Sequence, residues 1–264
     1  MIFERSRRVL ARDFSEKWYK NRCAELCQSY TTMHRKLWEF AAICQVFRDK
    51  FVNFGSKSIK CLGFGVGLEP LTSYFAAQNA IVLATDKPEM GPWNGQYARF
   101  KGDLYEKEII DEIRFRENVT FLPVDMTNIP LDLLNGSFDF TWSCGSFEHI
   151  GGIDQSLAFF VEQMKALRPG GIAAHTTEYN FGSNTDTINA PDLVLFRKQD
   201  LEKLNEMLTT QGDKLFTLDL RGGDLPEDKI IDDPPYANPI HLALRINQAH
   251  VSTSIILIAQ RGIG

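Results

Sequence analysis

The residues best suited by type and spacing to do chemistry are a run of glycines followed by two carboxylates. Cys61-Leu62-Gly63-Phe64-Gly65-Val66-Gly67 carries a short apolar run into a glycine turn. Glycine lets a backbone turn tightly and approach a ligand closely, and a helix N-terminus behind such a turn adds aligned N–H groups. The spacing is G-x-G-x-G. A nicotinamide dinucleotide loop wants G-x-G-x-x-G, but position 68 is Leu, which argues against a dehydrogenase. Asp86 ends the next apolar run, nineteen residues after Gly67. A carboxylate there can accept hydrogen bonds from both ribose hydroxyls of a nucleoside. Asp125 ends a third apolar run, where it can accept from an adenine amino group while Met126 covers the ring. Each feature alone also fits an ordinary turn or helix cap. In this order along the chain, the three favour a nucleoside ligand.

Two histidines are candidate general bases. His149 follows the segment Phe138–Ser143, and His175 sits in Ala174-His175-Thr176-Thr177-Glu178-Tyr179-Asn180. Each also has a plainer reading, as a helix anchor and as a buried strand residue. Two longer segments offer aromatic rings beside amides and carboxylates. Residues 87–102 contain Trp93, and residues 221–247 contain Tyr236 and His241. Such surfaces suit a sugar ring or another polar ring metabolite. Asp224, Asp228, Asp232 and Asp233 form an acidic cluster expected to be solvated, and no metal site is expected.

These groups need a scaffold. Residues 13–52 are expected to be helical, since Met33, Leu37, Phe40, Ala41, Cys44, Phe47 and Phe51 make one apolar stripe. From residue 58 onward, strands and helices alternate. Strands are expected at 58–62, 80–85, 119–124, 138–143, 172–176, 215–220 and 252–259, with helices at 68–78, near 103–115, 154–167 and 198–210. Alternation of this kind implies a parallel sheet covered by helices on both faces, with ligands at the carboxyl ends of the strands. The expected organisation is one domain over 1–264, with a helical extension at 1–55 and a core at 56–264.

With these motifs in order, the chain resembles the class I S-adenosylmethionine methyltransferases over roughly residues 58–180. Ser137-Phe138-Asp139-Phe140-Thr141-Trp142-Ser143 with Phe147-Glu148-His149 is similar to that family's fourth-strand segment, and Leu167-Arg168-Pro169-Gly170-Gly171 to its following turn. The resemblance implies an α/β Rossmann-like, doubly wound sheet of about seven strands, the last antiparallel. It also implies S-adenosyl-L-methionine as cofactor. Gly63, Gly65 and Gly67 would hold its methionine part, Asp86 the ribose and Asp125 the adenine, with Met126 over the ring and Phe64, Lys87 and Ser143 also at the cofactor. The family often has an acidic residue where this chain has Cys61, and Glu69 is expected to compensate. The N-terminal helices would lie over the pocket, bringing Trp18, Tyr19 and Arg22 near the methionine end.

The acceptor is expected to be a sugar hydroxyl, with a deoxysugar such as rhamnose at a glycan end as one form. This follows from a looser resemblance of residues 175–180 and 194–197 to methyltransferases of glycan assembly. Trp93, Glu178, Tyr179, Tyr236 and His241 are the candidate acceptor-binding residues. Asp233-Pro234-Pro235-Tyr236 copies the signature of nucleic-acid amino methyltransferases, but it lies far from the fourth strand. The net charge of −5 also disfavours a nucleic-acid partner. The short basic cluster at Arg5–Arg8 reads as a solvated end. Five cysteines without a CxxC pair read as reduced core or near-core thiols of a cytoplasmic protein, and no apolar run is long enough to span a membrane. A catalytically silent cofactor-binding module is the alternative from another class.

Overall fold

The computed structural model describes residues 3–51, 58–87 and 96–263. The N-terminal part holds a short strand β1 (Ser6–Arg8), helix α1 (Lys17–Glu25), strand β2 (Met33–His34) and helix α2 (Arg35–Phe51). Then come β3 (Lys60–Phe64), α3 (Leu71–Ala77), β4 (Ile81–Asp86), α4 (Glu112–Asn118), β5 (Val119–Pro123), β6 (Phe138–Cys144), α5 (Ile153–Gln163) and β7 (Leu167–Asn180). The C-terminal part has β8 (Asn189–Ala190), β9 (Leu193–Val194), α6 (Lys198–Thr210), β10 (Lys214–Leu215), β11 (Leu218–Asp219), β12 (Ile240–His241), β13 (Ala243–Ile246) and β14 (His250–Gln260).

The main sheet runs β11-β1-β14-β7-β6-β3-β4-β5, with β10 and β13 also paired to β14. Strands β5, β4, β3, β6 and β7 are mutually parallel, and β14 is antiparallel to β7. The expected doubly wound sheet with an antiparallel last strand is therefore present. From β3 the chain moves outward through β4 and β5, then returns to the other side of β3 as β6. That reversal leaves a crevice at the carboxyl ends of β3 and β6, because the loops after them diverge.

Strand β6 explains how two layers are fed from one run. Phe140 and Trp142 pack with Phe47 of α2 and Phe75 of α3 on one face. On the other face Thr141 donates to Gln163 and Ser143 meets His175. Phe64, Phe159, Phe160, Leu201 and Leu257 form the core of that second side. The run alternates apolar with polar residues although it is buried on both faces, and Thr141 and Ser143 are accepted there because Gln163 and His175 bond them.

Several sequence expectations change, among them the strand at 215–220, which is two short strands with different partners, and the helix near 103–115, which lies at Glu112–Asn118. The helical stretch at 13–52 is broken between α1 and α2, where Cys27 turns with φ of 54° and β2 intervenes. The helix expected at 154–167 ends early, and β7 begins at Leu167, carrying Pro169-Gly170-Gly171 within it. The basic cluster is not a free end. Ser6–Arg8 pairs with β14 and β11, Arg7 bonds Asp13 at 2.6 Å, and the Arg8 guanidinium lies over the Phe181 ring. Two cationic residues in a strand are tolerated because each has a partner of opposite charge or an aromatic face.

Four of the five cysteines are buried, whereas Cys27 is exposed and its thiol donates to the Glu108 carbonyl at 3.3 Å. No helix among the described residues is long and apolar enough to cross a membrane.

Candidate functional site

A cleft of about 400 Å³ opens where β3 and β6 end. Gly65 and Gly67 follow β3 and adopt φ of +55° and +53°, a region that L side chains rarely enter. A Cβ on Gly65 would lie 2.9 Å from Ser146 Cβ and 3.0 Å from Met126 Sδ, inside the cleft. Glycine at 65 thus keeps the floor open as well as making the turn. Gly63 serves a different purpose. It lies within β3, and a Cβ there would come 2.3 Å from the Trp142 ring. Phe64 is fully buried against Phe159. Neither of these two is among the residues that line the cleft; Gly63 leaves room for the Trp142 ring and Phe64 packs in the core.

Asp86 ends β4 and faces the same cleft. Its Oδ2 accepts from the Gly67 and Ala98 amides at 3.0 and 2.9 Å, and its Oδ1 from the Lys87 amide at 2.8 Å. A carboxylate offers about four acceptor positions. Three are engaged by backbone, which leaves room for about one ribose hydroxyl rather than two. The same bonds tie the glycine loop to the end of β4. Desolvation raises the Asp86 pKa, and the three amides oppose the rise. Asp125 and Met126 also line the cleft, and Lys87 Nζ bonds Asp125 at 2.9 Å across its rim.

One end of the cleft is supplied by residues of separate elements. Glu69 lines the cleft; its Oε1 lies 3.0 Å from Lys36 Nζ, while its Oε2 is buried without a hydrogen-bond partner. Burial pushes the Glu69 carboxyl up to about 7, against the pull of Lys36. Lys36, on the first turn of α2, also donates to the Cys144 carbonyl at 2.8 Å. An orphaned buried acceptor costs free energy unless a ligand satisfies it. An α-ammonium would satisfy Glu69, and a carboxylate would suit Lys36, so the residues fit an amino-acid moiety. Cys61 takes no part; it is buried in the core. The residues expected to lie over the pocket, Trp18, Tyr19 and Arg22, are also buried elsewhere, and α2 rather than α1 reaches the cleft. Lys36 was invisible to sequence reasoning because α2 lies far upstream of the glycine loop and one lysine on a helix carries no signal.

The two candidate bases separate. His149 lines the cleft. Its Nδ1 lies 2.6 Å from the Asp192 carbonyl, so Nδ1 carries the hydrogen and the lone pair of the neutral ring falls on Nε2. Burial lowers its pKa and favours that neutral form at pH 7. Next to it Glu148 is buried, with its carboxyl pushed up to about 8 by burial and by Glu178. His175 is not in the cleft. It is fully buried among Phe147, Phe159 and Phe160, and its Nδ1 meets Ser143 Oγ at 2.7 Å. Burial holds its pKa at about 3. The expectation placed His175 at a strand end, but β7 continues to Asn180, so His175 is mid-strand on the α5 face. Ser143 goes with it into the core, and Cys144, Gly145 and Ser146 line the cleft instead.

The candidate acceptor residues scatter. Trp93 lies outside the described residues. Tyr179 is buried in the apolar cluster of the α5 face. Glu178 is buried and paired with Arg35 at 2.5 Å. Both belong to β7, whose alternate residues face the two covered sides of the sheet, so neither reaches a cleft. Tyr236 and His241 do line a cavity, a second cleft of about 520 Å³ that shares Lys36 with the first. The acidic cluster is not simply solvated. Asp232 is buried against His241, Asp228 accepts from the Ala11 amide at 2.8 Å, and Asp233 bonds Arg245 at 2.6 Å.

Residues 62–175 match the family model described as a methyltransferase domain, a little under half of the chain. No curated protein sequence is significantly similar to this one. Among solved structures, a putative sarcosine dimethylglycine methyltransferase from Galdieria sulphuraria is 12% identical with a TM-score of 0.52, over 94% of this chain and 99% of that one. This likeness shows the fold. The 1,6-didemethyltoxoflavin-N1-methyltransferase of Burkholderia thailandensis, solved with its substrate and S-adenosylhomocysteine, is 16% identical with a TM-score of 0.49, over 95% and 86%. Against the CurJ carbon methyltransferase the values are 13% and 0.48; the match takes in 87% of this chain and only 54% of that one.

Proposed function

We propose that this S-adenosylmethionine-dependent methyltransferase passes its methyl group to a hydroxyl of a saccharide, with His149 as general base. The cofactor and the reaction class follow from the matched methyltransferase domain and from a cleft whose orphaned Glu69 oxygen, Lys36 and Asp86 suit the two ends of the cofactor. The hydroxyl acceptor rests on one observation. His149 stands in the cleft wall with Nδ1 donating to the Asp192 carbonyl, which puts the lone pair of the neutral ring on Nε2, 4.0 Å from Glu148 Oε1. S-adenosylmethionine, when bound, supplies a methyl group on a sulfonium. As the acceptor oxygen takes up that carbon, its proton goes to His149 Nε2, and the carbon–sulfur electron pair stays on sulfur. A positioned base typically contributes about 10²–10⁴-fold to such a step. Asp192, through its carbonyl, is a positioning residue that holds the ring in one tautomer. A sugar is proposed over other hydroxyl compounds because the adjoining second cleft combines aromatic rings with amides.

The test is incubation with methyl-labelled S-adenosylmethionine and separate panels of glycosides, amines, heteroaromatic compounds and RNA. Label in a glycoside, lost in His149→Ala, is the expected result. Label confined to amines or nucleic acid would overturn the reading. Tight cofactor binding with no turnover on any panel would favour a silent module instead.

A further inference from the structure

The second cleft has a recognition surface that neither the glycine loop nor the base accounts for. Strands β2 and β12 pair in parallel, Met33 with Ile240 and His34 with His241, although some two hundred residues separate them. The pairing stacks the His34 and His241 rings, with centroids 4.5 Å apart and planes 20° from parallel. Tyr236 packs edge-on to His241 at 6.2 Å, and its hydroxyl donates to the Arg245 carbonyl at 2.9 Å. Leu37 and Phe40 of α2 line the same cavity, and Asn238 adds an amide.

The two imidazoles present opposite hydrogen-bonding faces. The Lys36 amide donates to His34 Nδ1 at 3.2 Å, so in neutral His34 the hydrogen is on Nε2, a donor. His241 Nδ1 donates to Asp232 Oδ2 at 2.6 Å, so in neutral His241 Nε2 is an acceptor. Burial is the largest cause that lowers the His34 pKa and favours its neutral form, with Arg35 and Lys36 acting the same way and Glu39 opposing. A stacked donor and acceptor match a ligand whose adjacent groups each both donate and accept. Neighbouring hydroxyls of a sugar ring do that, and the ring's C–H face suits Leu37 and Phe40.

We infer that the His34–His241 cleft is the acceptor subsite, holding a neutral sugar unit by a vicinal pair of hydroxyls and presenting a further hydroxyl across Lys36 to His149. The inference rests on the proposed hydroxyl methylation and adds where, and by which groups, the sugar is held.

Two variants test it, with methyl rhamnoside as the probe. His34→Phe keeps a stacked ring but removes the donor. Thr32→Trp leaves the stack alone and fills the cleft from an exposed lining position. Each is expected to raise KM for methyl rhamnoside by about tenfold or more, equivalent to about 1.4 kcal/mol. Neither should change kcat by more than about threefold, nor the affinity for S-adenosylhomocysteine measured by calorimetry. Glycoside methylation with wild-type KM in both variants overturns the subsite while leaving the proposed function standing. If wild-type protein methylates no glycoside but does methylate another acceptor, the proposed function falls and the sugar assignment with it. Weakened S-adenosylhomocysteine binding in both variants would place the cleft with the cofactor and also overturn the inference.

Discussion

Asp86 makes two separable contributions, one to the fold and one to the ligand, and Asp86→Ala should expose both. Removing the carboxylate strands three backbone donors, of which the Ala98 amide is buried and the Gly67 and Lys87 amides are partly buried. A buried orphan donor costs about 1–3 kcal/mol, and one that water can reach costs less. Ala98 contributes about 2 kcal/mol and the other two together about 1 kcal/mol. Relief of the desolvation that raises the Asp86 pKa offsets part of this. A net loss of about 2 kcal/mol in the ligand-free protein is expected. Losing a charged acceptor for a ribose hydroxyl should cost a further ~1.5–3 kcal/mol of binding, or about ten- to a hundredfold in affinity. Asp86→Asn separates the two, since its oxygen can still take the Gly67 and Ala98 amides while its NH₂ opposes the Lys87 amide. It should be nearly as stable as wild type yet bind more weakly. Urea unfolding of the ligand-free protein and calorimetry with S-adenosylhomocysteine read the two quantities. A folded Asp86→Ala protein with unchanged S-adenosylhomocysteine affinity would refute the cofactor assignment. Unchanged stability would refute the account of the amide cage.

Other substitutions probe the base, the loop and the buried acids. His149→Ala should lower kcat by about 10²–10⁴-fold with little change in S-adenosylhomocysteine affinity, and loss of binding instead would make it a cofactor residue. His175→Ala should lower stability by about 2–4 kcal/mol through the cavity it leaves, while turnover per folded molecule stays within about threefold. Because His175 is held at about 3 against an ordinary 6.5, the unfolded chain binds the extra proton between those values. Its contribution therefore rises with pH across that window and is lost in acid, as an acid-unfolding titration of wild type against His175→Phe would show. Gly65→Ala forces a left-handed residue at a cost of about 1–2 kcal/mol and points a methyl at Met126 and Ser146. Calorimetry should then show weakened S-adenosylhomocysteine binding. Glu148 has the opposite pH sign. Its carboxyl sits at about 8 rather than 4.5, so the folded protein binds the extra proton between these values and stability falls as pH rises through them. Glu148→Gln keeps an acceptor for the Thr177 hydroxyl, so it should flatten that fall in urea titrations from pH 5 to 9.

Sequence alone determined what depends on local order along the chain. The segments that became β3, β4, β5 and β6 were legible because short stretches rich in β-branched and aromatic residues end at turn residues. The positions of Gly65, Gly67, Asp86 and Asp125 followed because parallel strands deliver their following residues to one edge of the sheet. What failed was whatever turned on the exact end of a strand or on a distant partner. His175 and Ser143 looked like site residues until β7 proved longer and the two-residue period turned both toward α5. The Arg5–Arg8 cluster looked solvated because nothing local shows that β14 needs a neighbour. Lys36 reaches Glu69, and His34 reaches His241, only because α2 and its leading strand fold back over the cleft. Spacing along a chain can place a backbone turn beside its own strand, but only packing between remote segments decides which side chains meet, and those meetings build the Lys36–Glu69 end of the first cleft and the second cleft.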